Sequence, residues 1–227
     1  MWCYIISTLS VFLTTTFAYT RAVLPWQEKR EDLVEVSDRV VSFLPRYNVN
    51  YPIHTAQILS FGLFIQQMFS GQIDVYRLLW MYSICIWLRS FSLYSIGLKA
   101  MKDIVQITDP LCESLIGGNV LENDLFFSGH TSTLVILAYC NPSYAWFHWL
   151  AAFVTGLSLM IGRIHYTIDV FVAPFIINGI STWFMPYILP NFFTFPVTVS
   201  ILYFSALVLL VIFCKGDERG NITWILY

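Results

Sequence analysis

The feature that most constrains the fold is a succession of apolar stretches separated by short polar connections. Most of the stretches approach the roughly 20 residues that a helix needs to cross a bilayer. They lie near residues 2–20, 53–70, 75–97, 129–141, 145–163, 167–189 and 197–214. The fourth is short and must borrow residues from its flanks. The pattern therefore predicts an all-α, polytopic transmembrane bundle of six or seven helices.

Composition supports a lipid environment. Of the 227 residues, 57% are hydrophobic and only 11% are charged, whereas a soluble domain typically carries about 25% charged residues. The length predicts one integral-membrane domain over residues 1–227. A net charge of -2 and the absence of a long Lys/Arg run argue against nucleic-acid binding. The five cysteines show no CxxC spacing, so no metal site or cofactor is expected.

Two N-terminal segments leave alternatives open. The stretch at 2–20 is interpreted as a retained helix, and a signal peptide is the alternative. Residues 28–46 place Leu33, Val36 and Val40 at helical spacing between charged side chains. This pattern predicts an amphipathic helix at the membrane interface, with a juxtamembrane connector as the alternative.

The clearest chemical signal is His165-Tyr166-Thr167-Ile168-Asp169, in which histidine and aspartate are four residues apart. This spacing puts them on one face of a helix. A carboxylate there can bind one imidazole nitrogen and leave the other as a nucleophile or base. Taken alone, an ion pair that only reaches the membrane interface explains the pattern equally well.

A second signal, Ser128-Gly129-His130, opens the fourth apolar stretch. Ser128 is a candidate N-cap, and Gly129 permits close approach of the backbone. Exposed amides at a helix start can bind phosphate. Two spans separate His130 from His165, so both helix starts face the same side of the membrane. One histidine can then attack phosphorus while the other protonates the leaving oxygen.

Cations are predicted on the same side as the two histidines. Arg89 lies inside an apolar span, where an unpartnered arginine costs about 2.5–3.5 kcal/mol. Arg89 and Arg163 are therefore candidate phosphate ligands. For Lys99 and Lys102, a solvated loop is the simpler interpretation.

The segments Asp124-Leu125-Phe126-Phe127-Ser128-Gly129-His130-Thr131 and His165-Tyr166-Thr167-Ile168-Asp169-Val170 resemble the type 2 phosphatidic acid phosphatase superfamily. Within it they are most similar to the sphingomyelin synthase-like branch, and the resemblance extends over a catalytic core of about 53–190. It implies that His165 forms a phosphohistidine, that Asp169 orients it, and that His130 is the general acid and base. Asp124, Ser128 and Gly129 would support the phosphate.

The resemblance implies a lipid headgroup phosphotransferase with a phospholipid donor and a ceramide or diacylglycerol acceptor. The headgroup and self-association stay open. A lipid phosphate phosphatase acting on phosphatidic acid is the first alternative. Two arginines typical of hydrolytic members are missing, since Asp109 precedes Pro110 and Leu159 lies six residues before His165. A catalytically silent lipid-binding scaffold is the second alternative.

Two signals disagree about membrane orientation. The resemblance implies a catalytic face on the lumenal or exoplasmic side of an endomembrane or the plasma membrane. In contrast, Lys and Arg concentrate in the segments 21–52 and 98–128, which favours a cytosolic face. A glycosylation sequon at Asn221-Ile222-Thr223 agrees with a lumenal face if seven spans exist.

Overall fold

The computed structural model describes residues 2–71, 73–105 and 122–188, with side chains from residue 5 onwards. Within these ranges the chain is all-α, as predicted, and its β-type pairing is one isolated bridge between Val34 and Leu98.

The helices follow the predicted apolar stretches closely. Helix α1 (Trp2–Ala18) continues through a π-helical turn (Tyr19–Val23) into α2 (Leu24–Glu28). The next four helices are α3 (Arg39–Phe43), α4 (Asn50–Phe69), α5 (Val75–Ser95) and α6 (Gly129–Cys140). A 3-10 turn (Pro142–Tyr144) then leads into α7 (Ala145–Ile161). The last is α8 (Thr167–Gly179), which continues through a π-helical turn (Ile180–Phe184) into α9 (Met185–Ile188). The predicted stretch 197–214 lies outside the described residues.

Two helical segments within the described ranges are long and apolar enough to cross a membrane, namely Pro142–Ile161 and Thr167–Ile188. Their outer surfaces carry large exposed apolar side chains: Phe153 is 68% exposed, Phe175 74% and Trp183 74%. Such side chains are stable when they face lipid rather than water. The protein is therefore membrane-associated.

Helix α6 forms the centre of the bundle although it is the shortest of the predicted spans. Four consecutive residues, Leu134 to Leu137, are completely buried. Helices α5, α7 and α8 all pack against it. Burial of most of its side chains explains why α6 is largely apolar beyond its first turn.

The polar residues gather at the two ends of the bundle. At one end, Ser128 caps α6 and its amide donates to Asp169 O at 3.0 Å. At the other end, Arg77 donates to Ser181 Oγ at 2.7 Å and Tyr139 donates to Asn178 Oδ1 at 2.6 Å. The end that contains Ser128 and Asp169 is called the site end below.

The single amphipathic helix predicted over 28–46 is not formed, and that prediction is wrong. Only Arg39–Phe43 is helical between Glu28 and Asn50. The preceding residues are extended because Val34 pairs with the segment after α5, donating to Gly97 O at 2.8 Å and accepting from Lys99 N at 3.0 Å. These bonds satisfy the backbone groups that a helix would otherwise pair internally.

Candidate active site

His165 and Asp169 are in direct contact at the site end. The His165 Nδ1 to Asp169 Oδ2 distance is 3.2 Å, and both side chains are buried. Because a carboxylate accepts, the Nδ1–H donates and Nε2 keeps its lone pair. The predicted contact between these two residues is confirmed.

The reason for that contact differs from the prediction. His165 is not on a helix, because α8 begins two residues later at Thr167. Asp169 lies in the first turn of α8 and points back along the chain, where its Oδ2 also accepts from Tyr166 N at 3.2 Å. An acidic residue at this position commonly closes the start of a helix in this way. The pair is therefore a capping arrangement.

A main-chain hydrogen bond joins the two chemical motifs. Ser128 N donates to Asp169 O at 3.0 Å, so the start of α6 lies against the first turn of α8. The Ser128 hydroxyl accepts from Thr131 N at 3.2 Å and acts as the predicted N-cap. His130 is the second residue of α6, and this arrangement brings it near His165.

The electrostatic surroundings of His165 favour the neutral imidazole. Burial lowers its pKa below the ordinary value of 6.5, and the hydrogen bond to Asp169 raises it. Arg89 and His130 lower the pKa further, as positive neighbours do. A neutral ring with a free Nε2 is the form that can act as a nucleophile.

Arg89 is buried in α5 and is held by two partners. Its Nη2 lies 2.9 Å from Asp124 Oδ1, and its Nε donates to Tyr19 Oη at 2.6 Å. The Tyr19 hydroxyl in turn donates to Asp124 Oδ1 at 2.7 Å. The cost of burying the guanidinium is thus offset by a carboxylate and a hydroxyl.

One side of the Arg89 guanidinium remains available. Its Nη1 is buried and has no hydrogen-bond partner among the residues that the structure describes. A Cβ at Gly129 would lie 3.8 Å from this nitrogen and 3.6 Å from Arg89 Cζ. The unpaired donor therefore adjoins the N-terminus of α6, where free amides and the helix dipole also favour an anion.

Among the other predicted cations, Arg163 and Lys102 pair with acidic side chains, whereas Lys99 is bonded through its backbone. Arg163, in the connector before His165 with a φ of 56°, forms an ion pair with Asp103. Lys102 lies 3.5 Å from Glu35 and is largely exposed. The Lys99 backbone pairs with Val34, and its carbonyl accepts from Tyr166 Oη at 2.7 Å.

Sequence reasoning missed the contributions of Asp38 and Tyr19. Asp38 Oδ2 accepts from Thr167 N at 2.6 Å, and its Oδ1 accepts from Thr167 Oγ1 at 2.9 Å. Burial raises the pKa of Asp38, but the hydrogen bonds from Thr167 and Val41 outweigh this effect and lower it. The only sequence signal was one of several nearby acidic residues placed before a short apolar run, which is typical of an ordinary N-cap.

Close packing of α7 against α6 and α8 supports the two chemical motifs. A Cβ at Gly156 of α7 would lie 2.6 Å from Val170 Cγ1 and 3.7 Å from Thr131 Oγ1. Gly156 therefore lets α7 approach both helices that carry the chemical motifs, one residue beyond Asp169 and one beyond His130.

Comparison with known proteins gives a consistent result. Residues 123–188 match the PAP2 superfamily C-terminal family. Over 71 residues, the chain is 35% identical to phosphatidylcholine:ceramide cholinephosphotransferase 2 from Homo sapiens. It is 34% identical to the protein of the same name from Macaca fascicularis. The aligned segment is 28% of this chain and spans only 20% of the length of each relative.

The matched family segment contains His130, His165 and Asp169, the same residues that the structure brings together at the site end. The resemblance predicted from these motifs is thereby confirmed. The match to the PAP2 superfamily C-terminal family covers residues 123–188, which is less than a third of the chain.

Proposed function

We propose that this protein is a lipid headgroup phosphotransferase of the sphingomyelin synthase type. It would move a phospho-headgroup from a phospholipid to ceramide or diacylglycerol. The observation that carries the proposal is the His165–Asp169 hydrogen bond, held beside the His130 helix by the main-chain bond from Ser128 to Asp169. The 35% identity over 71 residues to a phosphatidylcholine:ceramide cholinephosphotransferase adds support.

The first half-reaction breaks the bond between phosphorus and the diacylglycerol oxygen. His165 Nε2 attacks phosphorus, while Nδ1–H remains bonded to Asp169 and stabilises the positive charge that develops on the ring. His130 donates a proton to the departing oxygen. The products are a phosphohistidine that carries the headgroup, and a neutral diacylglycerol.

The second half-reaction reverses these roles. The acceptor hydroxyl gives its proton to His130, and its oxygen attacks the phosphorus of the phosphohistidine. The phosphorus–nitrogen bond breaks and the electron pair returns to His165. Both histidines end in their starting protonation states, so one cycle needs no other proton donor.

Charge at phosphorus is stabilised by Arg89 and by the start of α6. The partnerless Nη1 of Arg89 supplies one donor, and the first-turn amides of α6 supply others. Asp124 would position the guanidinium and offset its charge in the empty site. Ser128 and Gly129 would shape the helix start that the phosphate approaches.

The decisive experiment uses cells that lack sphingomyelin synthase. Their membranes, containing this protein, would receive fluorescent ceramide or, separately, fluorescent phosphatidic acid, and the lipid products would be separated by chromatography. His165→Ala is the inactive variant. His54→Ala, a histidine outside the matched segment 123–188, is the control.

A new phosphosphingolipid that disappears in the His165→Ala variant and persists in the His54→Ala variant would support the transferase. Its migration would also identify the headgroup. Release of diacylglycerol from phosphatidic acid, with ceramide unchanged, would instead show a lipid phosphate phosphatase. Transfer that persists in the His165→Ala variant would overturn the mechanism.

A further inference from the structure

The orientation of His165 is not set by a helix. It lies in the connector between α7 and α8, two residues after Arg163, whose backbone is left-handed, and two residues before the start of α8. Its Nδ1 contact with Asp169 holds only if the turn through Tyr166 and Thr167 keeps its shape. Other contacts must therefore hold this turn.

Several of those contacts come from residues 34–41, a segment that we name the strap. Asp38 accepts hydrogen bonds from both Thr167 N and Thr167 Oγ1. Val36 N donates to Tyr166 Oη at 3.2 Å, and the same hydroxyl donates to Lys99 O. The strap thus binds both residues that follow His165.

The strap is itself fixed at both ends. Val34 pairs with Gly97 and Lys99 through two backbone bonds. Val41 is 2% exposed and belongs to a buried apolar cluster with Val49, Ile53, Leu159, Met160 and Val170. Because both ends are anchored, the Asp38 carboxylate occupies a defined position at the start of α8.

We propose that Asp38 is a positioning residue for His165, which it orients through Thr167. The carboxylate fixes the first amide and the first hydroxyl of α8, and so fixes the turn that aims the imidazole at phosphorus. This inference rests on the proposed function in so far as His165 is the nucleophile. A nucleophile that is misplaced by a fraction of an ångström loses rate while substrate binding is retained.

The first test compares Asp38→Ala, Asp38→Asn and Asp32→Asn in the ceramide transfer assay. Asp32 is the matched control, because it lies in the same region, its side chain is 69% exposed, and it pairs with Arg30 rather than with the start of α8. We expect kcat to fall about tenfold in Asp38→Ala with KM unchanged. Asp38→Asn should retain an intermediate kcat, because its amide oxygen still accepts from Thr167 N. Asp32→Asn should match the wild type, and equal kcat values for Asp38→Ala and Asp32→Asn would overturn the proposal.

The second test needs no lipid substrate, so it separates this inference from the proposed function. Purified protein would be treated with diethylpyrocarbonate, and the acylation of His165 would be followed by mass spectrometry with His54 as the internal reference. A loosened turn should expose the buried ring, so His165 should react several-fold faster in Asp38→Ala than in Asp32→Asn. Equal rates would overturn the inference even if transfer activity were lost. Absent transfer by the wild type would reject only the proposed function.

Discussion

His165 combines two properties that rarely occur together, since it is buried and yet keeps one ring nitrogen free for chemistry. The contact with Asp169 selects the tautomer, and burial, followed by the charge of Arg89, opposes protonation and lowers the pKa. The pKa of His165 that results sets the pH below which the proposed reaction should slow.

The rate should remain high as the pH falls past the ordinary histidine value of 6.5, because the pKa of His165 is lowered in the folded protein. It should decline only when the pH passes that lowered pKa, since protonation removes the lone pair at Nε2. A plot of kcat/KM against pH measures this limit. An acid limb above 6.5 would contradict the assignment of His165.

A second prediction at this scale concerns the hydroxyl of Tyr19, which bridges Arg89 and Asp124. Tyr19→Phe removes an acceptor for Arg89 and a donor to Asp124 inside the bundle. We expect unfolding to become easier by about 1–3 kcal/mol, the cost of unsatisfied buried partners. Denaturation in detergent measures the change. Tyr47→Phe, at a side chain that is 65% exposed, should have no effect.

Residue types and spacing were sufficient to predict the contact between His165 and Asp169, and the role of His130 beside them stays a prediction. They were insufficient for Tyr19, which is separated from Asp124 by 105 positions and from Arg89 by 70. Such partners meet only through tertiary packing, and a tyrosine at the end of an apolar stretch is otherwise typical of a membrane interface.

At the scale of elements, the helix bounds were largely predictable because the apolar stretches end where polar residues begin. The segment 28–46 was not, since its apolar spacing agrees with a helix while its backbone pairs with residues 97–99. Pairing between distant segments overrides local periodicity. The capping geometry of His165 was missed for a related reason, because helix starts are uncertain by one or two residues.

The close contact between α7 and α8 can be tested with Gly156→Ala. The new Cβ would lie 2.6 Å from Val170 Cγ1, so either the Val170 side chain or the helices must shift. We expect a loss of about 1–3 kcal/mol in stability, as is typical of overpacking. Thermal unfolding in detergent measures it.

Two further variants decide whether the loss comes from this contact. Val170→Ala removes the clashing methyl group, so adding Gly156→Ala to it should have little further effect. Gly62→Ala is the control within α4, because no atom lies within 4 Å of its new Cβ and alanine favours a helix. A Gly156→Ala variant as stable as Gly62→Ala would show that α7 and α8 do not pack this closely.

At the scale of the whole molecule, the bundle has two chemically different ends. The site end gathers both histidines, Arg89 and the strap, whereas the other end contains Arg77, Ser181 and the pair of Tyr139 with Asn178. Membrane association is supported by the two long apolar helices and by the matched relatives. The six or seven membrane crossings expected from the sequence remain a prediction.

If the ends lie on opposite sides of the membrane, single cysteines at Glu31 and Ser143 should be labelled from opposite sides. Both positions are exposed in the structure. The labelling would use an impermeant maleimide on sealed vesicles, in a variant whose five native cysteines are replaced. Labelling of both positions from one side would contradict the arrangement. The side that exposes Glu31 also decides between the cytosolic and lumenal orientations of the catalytic face.

The bond from Ser128 N to Asp169 O joins main chain to main chain, and so it is independent of side-chain identity at both positions. Side chains around the site end can therefore be substituted while this bond keeps His130 and His165 in the same relative position. Laboratory evolution toward a new headgroup should exploit this tolerance. We expect its adaptive substitutions to lie in side chains around the site end, while the spacing between the two motif segments stays unchanged.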